Sequence, residues 1–294
     1  MALIDDNEIE IGYTTDPATD LEQLLLRLDD LSAQVRSGSL SAEEAEAHRA
    51  ALISGWEAQP VRDHPSRAYA TSIWERAGTL RRLIQGMYLP AEVPGSPEMR
   101  YTFSQVGPPG DGVTQIRFAN KDTGRVLALS SFDQRPGKSS GIALPAIGIL
   151  VEPQHAFSRI AFQPDVAYSW GHKADVPTAF GVANPAFSRG SLRLVGEKLN
   201  PQSGRYELAW AKLVQLWQRH TGTGAGYGWQ RGSGHYPGSD PGLFVYAGKG
   251  EHLRLSLQLV LEMSKEDHDP SAFTSGEAYI DAYVPVMWAL ETAL

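Results

Sequence analysis

The chain has 294 residues, a formal net charge of -8 and a pI near 5.5, so it can bury a sizeable core as one large domain or two ordinary ones. Its acid balance speaks against a broad phosphate-binding surface and against nucleic acid as a partner. It contains no cysteine, which removes disulfides, thiolate metal sites, iron–sulfur clusters and cysteine nucleophiles.

The opening Met1-Ala2-Leu3-Ile4-Asp5-Asp6 is acidic where a secretory signal is basic, and no apolar run approaches a membrane span, which implies a cytoplasmic location. Residues 1–92 read as a helical region. Asp16-Pro17 can start a helix, Leu21, Leu24, Leu25, Leu28, Leu31 and Val35 recur at helical spacing, and Ser37-Gly38 stops them. Ser41 and Glu44 form a capping-box pattern that opens a second helix carrying Ala45, Leu52, Ile53 and Trp56. A third is predicted from Ser66 to Met87, with Tyr69, Ile73, Leu80, Leu83 and Ile84 on one face. The hairpin over residues 21–54 resembles the small helix-turn-helix oligomerisation motifs appended to many bacterial proteins. The plainer alternative is that Leu24, Leu28 and Leu31 pack on their own domain.

Pro90, Pro94, Gly95 and Pro97 mark a connector, and residues 98–294 form a β block. Strands are predicted at Met99–Val106, Val113–Ala119 and Arg125–Phe132, the last two joined by a hairpin loop at residues 120–124. Further short strands are expected at Gly141–Val151, Phe157–Phe162, Val166–Trp170, Leu192–Val195 and Leu243–Tyr246. Residues 206–220, with Leu208, Leu213, Leu216 and Trp217, have the period of an inserted helix. The clearest signal is the alternation of Leu253, Leu255, Leu257, Leu259, Leu261 and Met263, followed by Ile280, Ala282, Val284, Val286, Trp288 and Leu290. Only a strand puts such sets on one face. Many short strands between Pro and Gly turns predict a mainly β fold, a jelly-roll or β-sandwich core.

Residues 221–242 read as a long glycine-rich loop bearing Tyr227, Trp229, His235 and Tyr236. These four are the candidate contact residues for an interface or ligand, because Tyr and Trp bury large area at small entropic cost. The alternative is a surface loop packed by its own aromatics. The glycine spacing fails the dinucleotide fingerprint. Metal binding has only weak candidates in His172 with Asp175, Glu251 with His252, and Asp267-His268-Asp269, where Asp267 and Asp269 could hold calcium or simply form a solvated acidic loop. No Gly-X-Ser-X-Gly elbow occurs. Asp165, Asp175 and Glu197 suit surface charges as well as paired carboxylates, and His235 and His252 make no recognisable triad. The prediction is a non-enzyme without a cofactor, and by elimination a structural, self-assembling protein.

The strand pair at 253–263 and 278–290, the β block from residue 99, and the scarcity of Asn (only 7, 120, 184 and 200) and Cys together resemble the single-jelly-roll major capsid proteins of membrane-containing icosahedral phages, including those of thermophilic bacteria. The resemblance implies an upright β-barrel in a virion, lateral contacts with itself and other shell proteins, an internal membrane beneath, and no catalytic residue. The alternative is a β-sandwich module that binds carbohydrate or a protein partner through Tyr227, Trp229 and Tyr236.

Overall fold

The structure is a computed structural model, and it describes residues 19–57, 86–91, 100–107, 113–132, 137–176, 185–222, 225–237, 240–267 and 274–294. Among the described residues two helices, α1 (Thr19–Arg36) and α2 (Ala42–Glu57), precede the strands. These are β1 (Met87–Tyr88), β2 (Phe103–Gln105), β3 (Val113–Asn120), β4 (Arg125–Phe132), β5 (Lys138–Ala143), β6 (Ala146–Val151), β7 (Ser158–Asp175), β8 (Ala186–Asn200), β9 (Arg205–Thr221), β10 (Gly226–Tyr236), β11 (Leu243–Ala247), β12 (Leu253–Glu266) and β13 (Ser275–Ala293).

The strands form two antiparallel sheets. Sheet A has the order β10-β7-β13-β4-β3, with β11 beside β7 and β1 beside β13; sheet B has the order β2-β6-β12-β8-β9, with β5 beside β12. The pairings nest: β8 with β9 innermost, then β7 with β10 and β11, then β5 and β6 with β12, then β4 with β13, which the short β1 also joins. A long hairpin with these nested pairs, rolled so that β13 meets β7 and β12 meets β8, is a jelly roll. The mainly β sandwich predicted from the sequence is the fold observed.

Leu253, Leu255, Leu257, Leu259, Leu261 and Met263 all face the core between the sheets, with Ile280, Ala282 and Val284 opposite them. Each such burial contributes about 1.5–3 kcal/mol against chain entropy. The second alternation does not stay on one face. β13 slips register between Tyr283 and Val286, so Met287 and Ala289 take over the core side, while Val286 and Trp288 pack outside with Met87 and Leu89. A β-bulge makes this change of face.

Residues 206–220 are strand β9, not a helix. Two bulges in its pairing with β8, at Gly190/Ser191 and Gly196/Glu197, each insert one residue into β9: one places the core-facing Trp217 three residues after Val214, and the other turns Trp210 to the core two residues after the exposed Leu208. That spacing imitates a helix. The adjoining residues 226–236 are likewise strand β10 rather than loop. Its glycines leave room for rings on β7: a Cβ at Gly232 would lie 2.5 Å from the Trp170 indole, and one at Gly234 would lie 2.6 Å from the Tyr168 hydroxyl.

Turn chemistry joins several strands. In both 120–124 and 200–204 the Asn side-chain carbonyl accepts backbone N–H bonds, from Asp122 and Thr123 and from Gln202 and Ser203, before a glycine at positive φ. The β5–β6 stretch breaks at Leu144-Pro145, and the strands expected at Phe157–Phe162 and Val166–Trp170 are one continuous β7.

The helical hairpin forms as the sequence implies. Glu44 N–H donates to Ser41 Oγ (3.2 Å) and Ser41 N–H to Glu44 Oε2 (3.1 Å), the reciprocal capping box. Leu24, Leu25 and Leu28 pack on Ile116, Leu127, Leu129 and Tyr279, on the outer face of sheet A, and the buried Arg49 guanidinium donates to Ser131 Oγ. The hairpin therefore packs on the same chain. The third expected helix falls outside the described residues except at its end, where Gly86 lies in a turn and Met87 begins β1.

Candidate functional site

A strand sends alternate side chains to opposite faces, and a bulge in β10 between Tyr227 and Gln230 shifts that alternation, so the four aromatic candidates fall into two groups. Tyr227 and Tyr236 point between the sheets, paired across from Ala174 and Val166. Trp229 and His235 point outward. They do not form one contact surface.

The inward group belongs to an aromatic stack. His172 is 4 % exposed and lies against Trp170 and Trp217, with ring centroids 5.7 and 5.2 Å away. Its Nδ1 is 3.0 Å from the Tyr227 hydroxyl, and the Arg219 guanidinium sits 4.1 Å above the Tyr227 ring. Burial, together with the Arg219 charge, pulls the His172 pKa down to about 4, so the ring is neutral near pH 7. Tyr236 donates to Asp240 Oδ1 (3.0 Å), and burial and that carboxylate hold its hydroxyl well above the usual tyrosine range. Burial pushes Asp240 up, but the Lys212 ammonium, the Gly242 N–H and the Tyr236 hydroxyl outweigh it and leave the carboxyl low. These contacts close the edge of the sandwich.

On the outer face Trp229 lies 5.7 Å from the Tyr279 ring, with Lys173 and Arg231 over it at 5.1 and 5.4 Å. It packs against the apolar cluster under the helical hairpin. His235 is half-buried on this face, and burial lowers its pKa. Of the weak metal candidates, Asp267 is buried in an ion pair with Lys265 (3.0 Å) and accepts the Thr274 N–H (2.9 Å). Asp269 lies outside the described residues. Among the described residues no group of three His, Asp or Glu side chains converges as a metal site.

Two features that the sequence reading missed are surfaces. At the end where residues 152–157 connect β6 to β7, the outer face of sheet A exposes Phe157, Phe244, Tyr246, Leu290 and Leu294, at 39–65 %. Cross-strand rows hold them together: Phe244, Ala161 and Leu290 align, as do Tyr246, Arg159 and Thr292, and the Leu294 N–H donates to the Phe157 carbonyl. Five large side chains about half exposed leave roughly 500 Å² of apolar surface, more than scattered surface residues account for. At the same end, the outer face of sheet B carries a row of Leu150, Arg254, Glu197 and Leu208, with both leucines near half exposure. The signal in the sequence was that β11, Leu243–Ala247, is apolar on both parities.

The second surface is a groove of about 590 Å³ at the opposite end of sheet B. One register row crosses its floor on four strands: Ser140, Ser264, Phe187 and His220. The Phe187 and His220 rings pack 4.7 Å apart, and Lys138 pairs with Glu266 at 2.5 Å on its rim.

Among the described residues no helix is long and apolar enough to cross a membrane. No protein-family model and no curated protein matches the chain. Among solved structures, the chain is similar to a carbohydrate-binding module in complex with beta-1,4-galactotriose, at 9 % identity, covering 63 % of this chain and 89 % of that one. With a TM-score of 0.16, that similarity lends no weight to a function.

Proposed function

We propose that this chain is a structural, self-assembling protein, a jelly-roll subunit of a protein shell such as a viral capsid. The observation that carries this reading is that candidate contact surfaces lie on opposite outer faces of one end of the sandwich: the apolar patch of sheet A, and on sheet B the half-exposed Leu150 and Leu208 flanking the Arg254–Glu197 ion pair. A subunit with one patch makes a closed pair, whereas one with patches on both faces can hold two neighbours at once, as rings and shells require. Its partners are then further copies of the chain and other shell proteins. Sedimentation velocity and light scattering across protein and salt concentration test it. Mass should grow with concentration, and a Phe244→Asp/Leu290→Asp double variant, exposed at both positions, should lose association while keeping its β-sheet circular dichroism. A wild-type protein that stays monomeric under all conditions refutes the proposal.

A second reading has its own observation. The groove on sheet B has a volume within the range of small-ligand sites, which favours a β-sandwich module that binds carbohydrate or a protein partner. Capture on immobilised glycans and peptides, in the absence of self-association, would select it.

A further inference from the structure

Deepening the second reading, we propose that the sheet B groove takes a neutral, hydroxyl-rich ring, a pyranose unit of a glycan. The proposal rests on what lines the groove and on how those groups are already committed. Its two lysines have carboxylate partners: Lys138 meets Glu266 at 2.5 Å, and the buried Lys265 meets Asp267 at 3.0 Å and donates to the Thr274 carbonyl at 3.2 Å. The charges cancel in pairs, so the groove offers no surplus cation to a phosphate, sulfate or carboxylate.

An extended peptide would dock elsewhere: a bound strand adds to a sheet edge through backbone hydrogen bonds, here the outer edges of β9 or β5, whereas the groove floor is the sheet face on which the side chains of the four strands stand. What the floor does offer is the hydroxyls of Ser140 and Ser264 beside the rings of Phe187 and His220. A sugar ring has this same division, with C–H groups that lie flat on an aromatic face and hydroxyls around its rim that bond to small polar side chains. A volume near 590 Å³ accommodates more than one such ring.

The test is binding of the intact chain to a panel of neutral oligosaccharides built from glucose, galactose and mannose, beside sulfated and sialylated ones, followed by calorimetry on any hit. Binding to a neutral glycan is expected, weakened at least tenfold by Phe187→Ala and also by Ser140→Gln. The second variant fills the groove from an exposed position and leaves the core untouched, so it keeps the test sound if Phe187→Ala fails to fold. Binding only to charged glycans overturns the proposal. Neutral-glycan binding unchanged by either folded variant overturns it too, while leaving the binding-module reading in place at another surface. If neither glycan nor peptide is captured, both fall.

Discussion

The buried ion pair at the β12–β13 connection allows a quantitative prediction. The side chains of Lys265 and Asp267 are both 0 % exposed, with Nζ and Oδ2 3.0 Å apart. Lys265 also donates to the Thr274 carbonyl, and Asp267 accepts the Thr274 N–H, so the pair fastens the chain where it re-enters sheet A. Removing one charge strands the other away from water. Asp267→Asn keeps an acceptor for Thr274 yet removes the carboxylate 3.0 Å from the buried ammonium, and Lys265→Met removes the ammonium from the buried carboxylate; each should cost about 3–5 kcal/mol. The double variant, Lys265→Met/Asp267→Asn, buries no charge. It should fall within about 2 kcal/mol of wild type, giving a coupling of several kcal/mol. Urea unfolding of the four proteins, at concentrations below any association, measures the cycle. Additive single effects, or an Asp267→Asn protein as stable as wild type, would refute the reasoning.

Two more predictions concern the aromatic edge. A Cβ at Gly190 would lie inside the Trp217 ring, so Gly190→Ala should cost about 1–3 kcal/mol and quench or shift the tryptophan fluorescence; an unchanged melting temperature would contradict the close packing. For His172, the folded-state pKa near 4 lies below the unfolded value. The unfolded chain thus takes up the proton first as pH falls from about 6.5 to 4, and stability drops across that window by about 2–3 kcal/mol. His172→Phe, which preserves the stack, should lose this component of the pH dependence; equal slopes for the two proteins in denaturant titrations from pH 7 to pH 4 would rule it out.

The sequence was most legible where its periodicity ran unbroken. β12 alternates without a fault, and a core strand follows at once. The capping box at Ser41 and Glu44 was equally plain, because its signal is local chemistry. β9 misled because two extra residues, one just before Trp210 and one just before Trp217, shift its alternation between faces and break the period of two. β13 misled halfway along, since a bulge changes the face without changing the letters. β10 looked like a loop because glycine carries no side chain to alternate, and its reason for being glycine stands on β7, in Tyr168 and Trp170. The surfaces were harder still. Leu290 and Leu261 are identical as letters, one exposed and the other buried, and the groove row of Ser140, Ser264, Phe187 and His220 draws on four separated strands that only the register brings together.

The nested pairing also sets the order in which this chain can fold. The strands at the middle of the two sheets, β12 in sheet B and β13 in sheet A, follow all the others in sequence. Until they arrive, β4 and β7 have no common neighbour, nor do β6 and β8, and the pairings open to the chain are β2–β6, β3–β4, β8–β9 and those of β7 with β10 and β11. Loop-closure entropy for the remaining pairs falls due late and all together. Folding should therefore be slow and strongly cooperative, with the apolar faces of the earlier strands open to solvent, and to one another across molecules, for as long as the last two are missing.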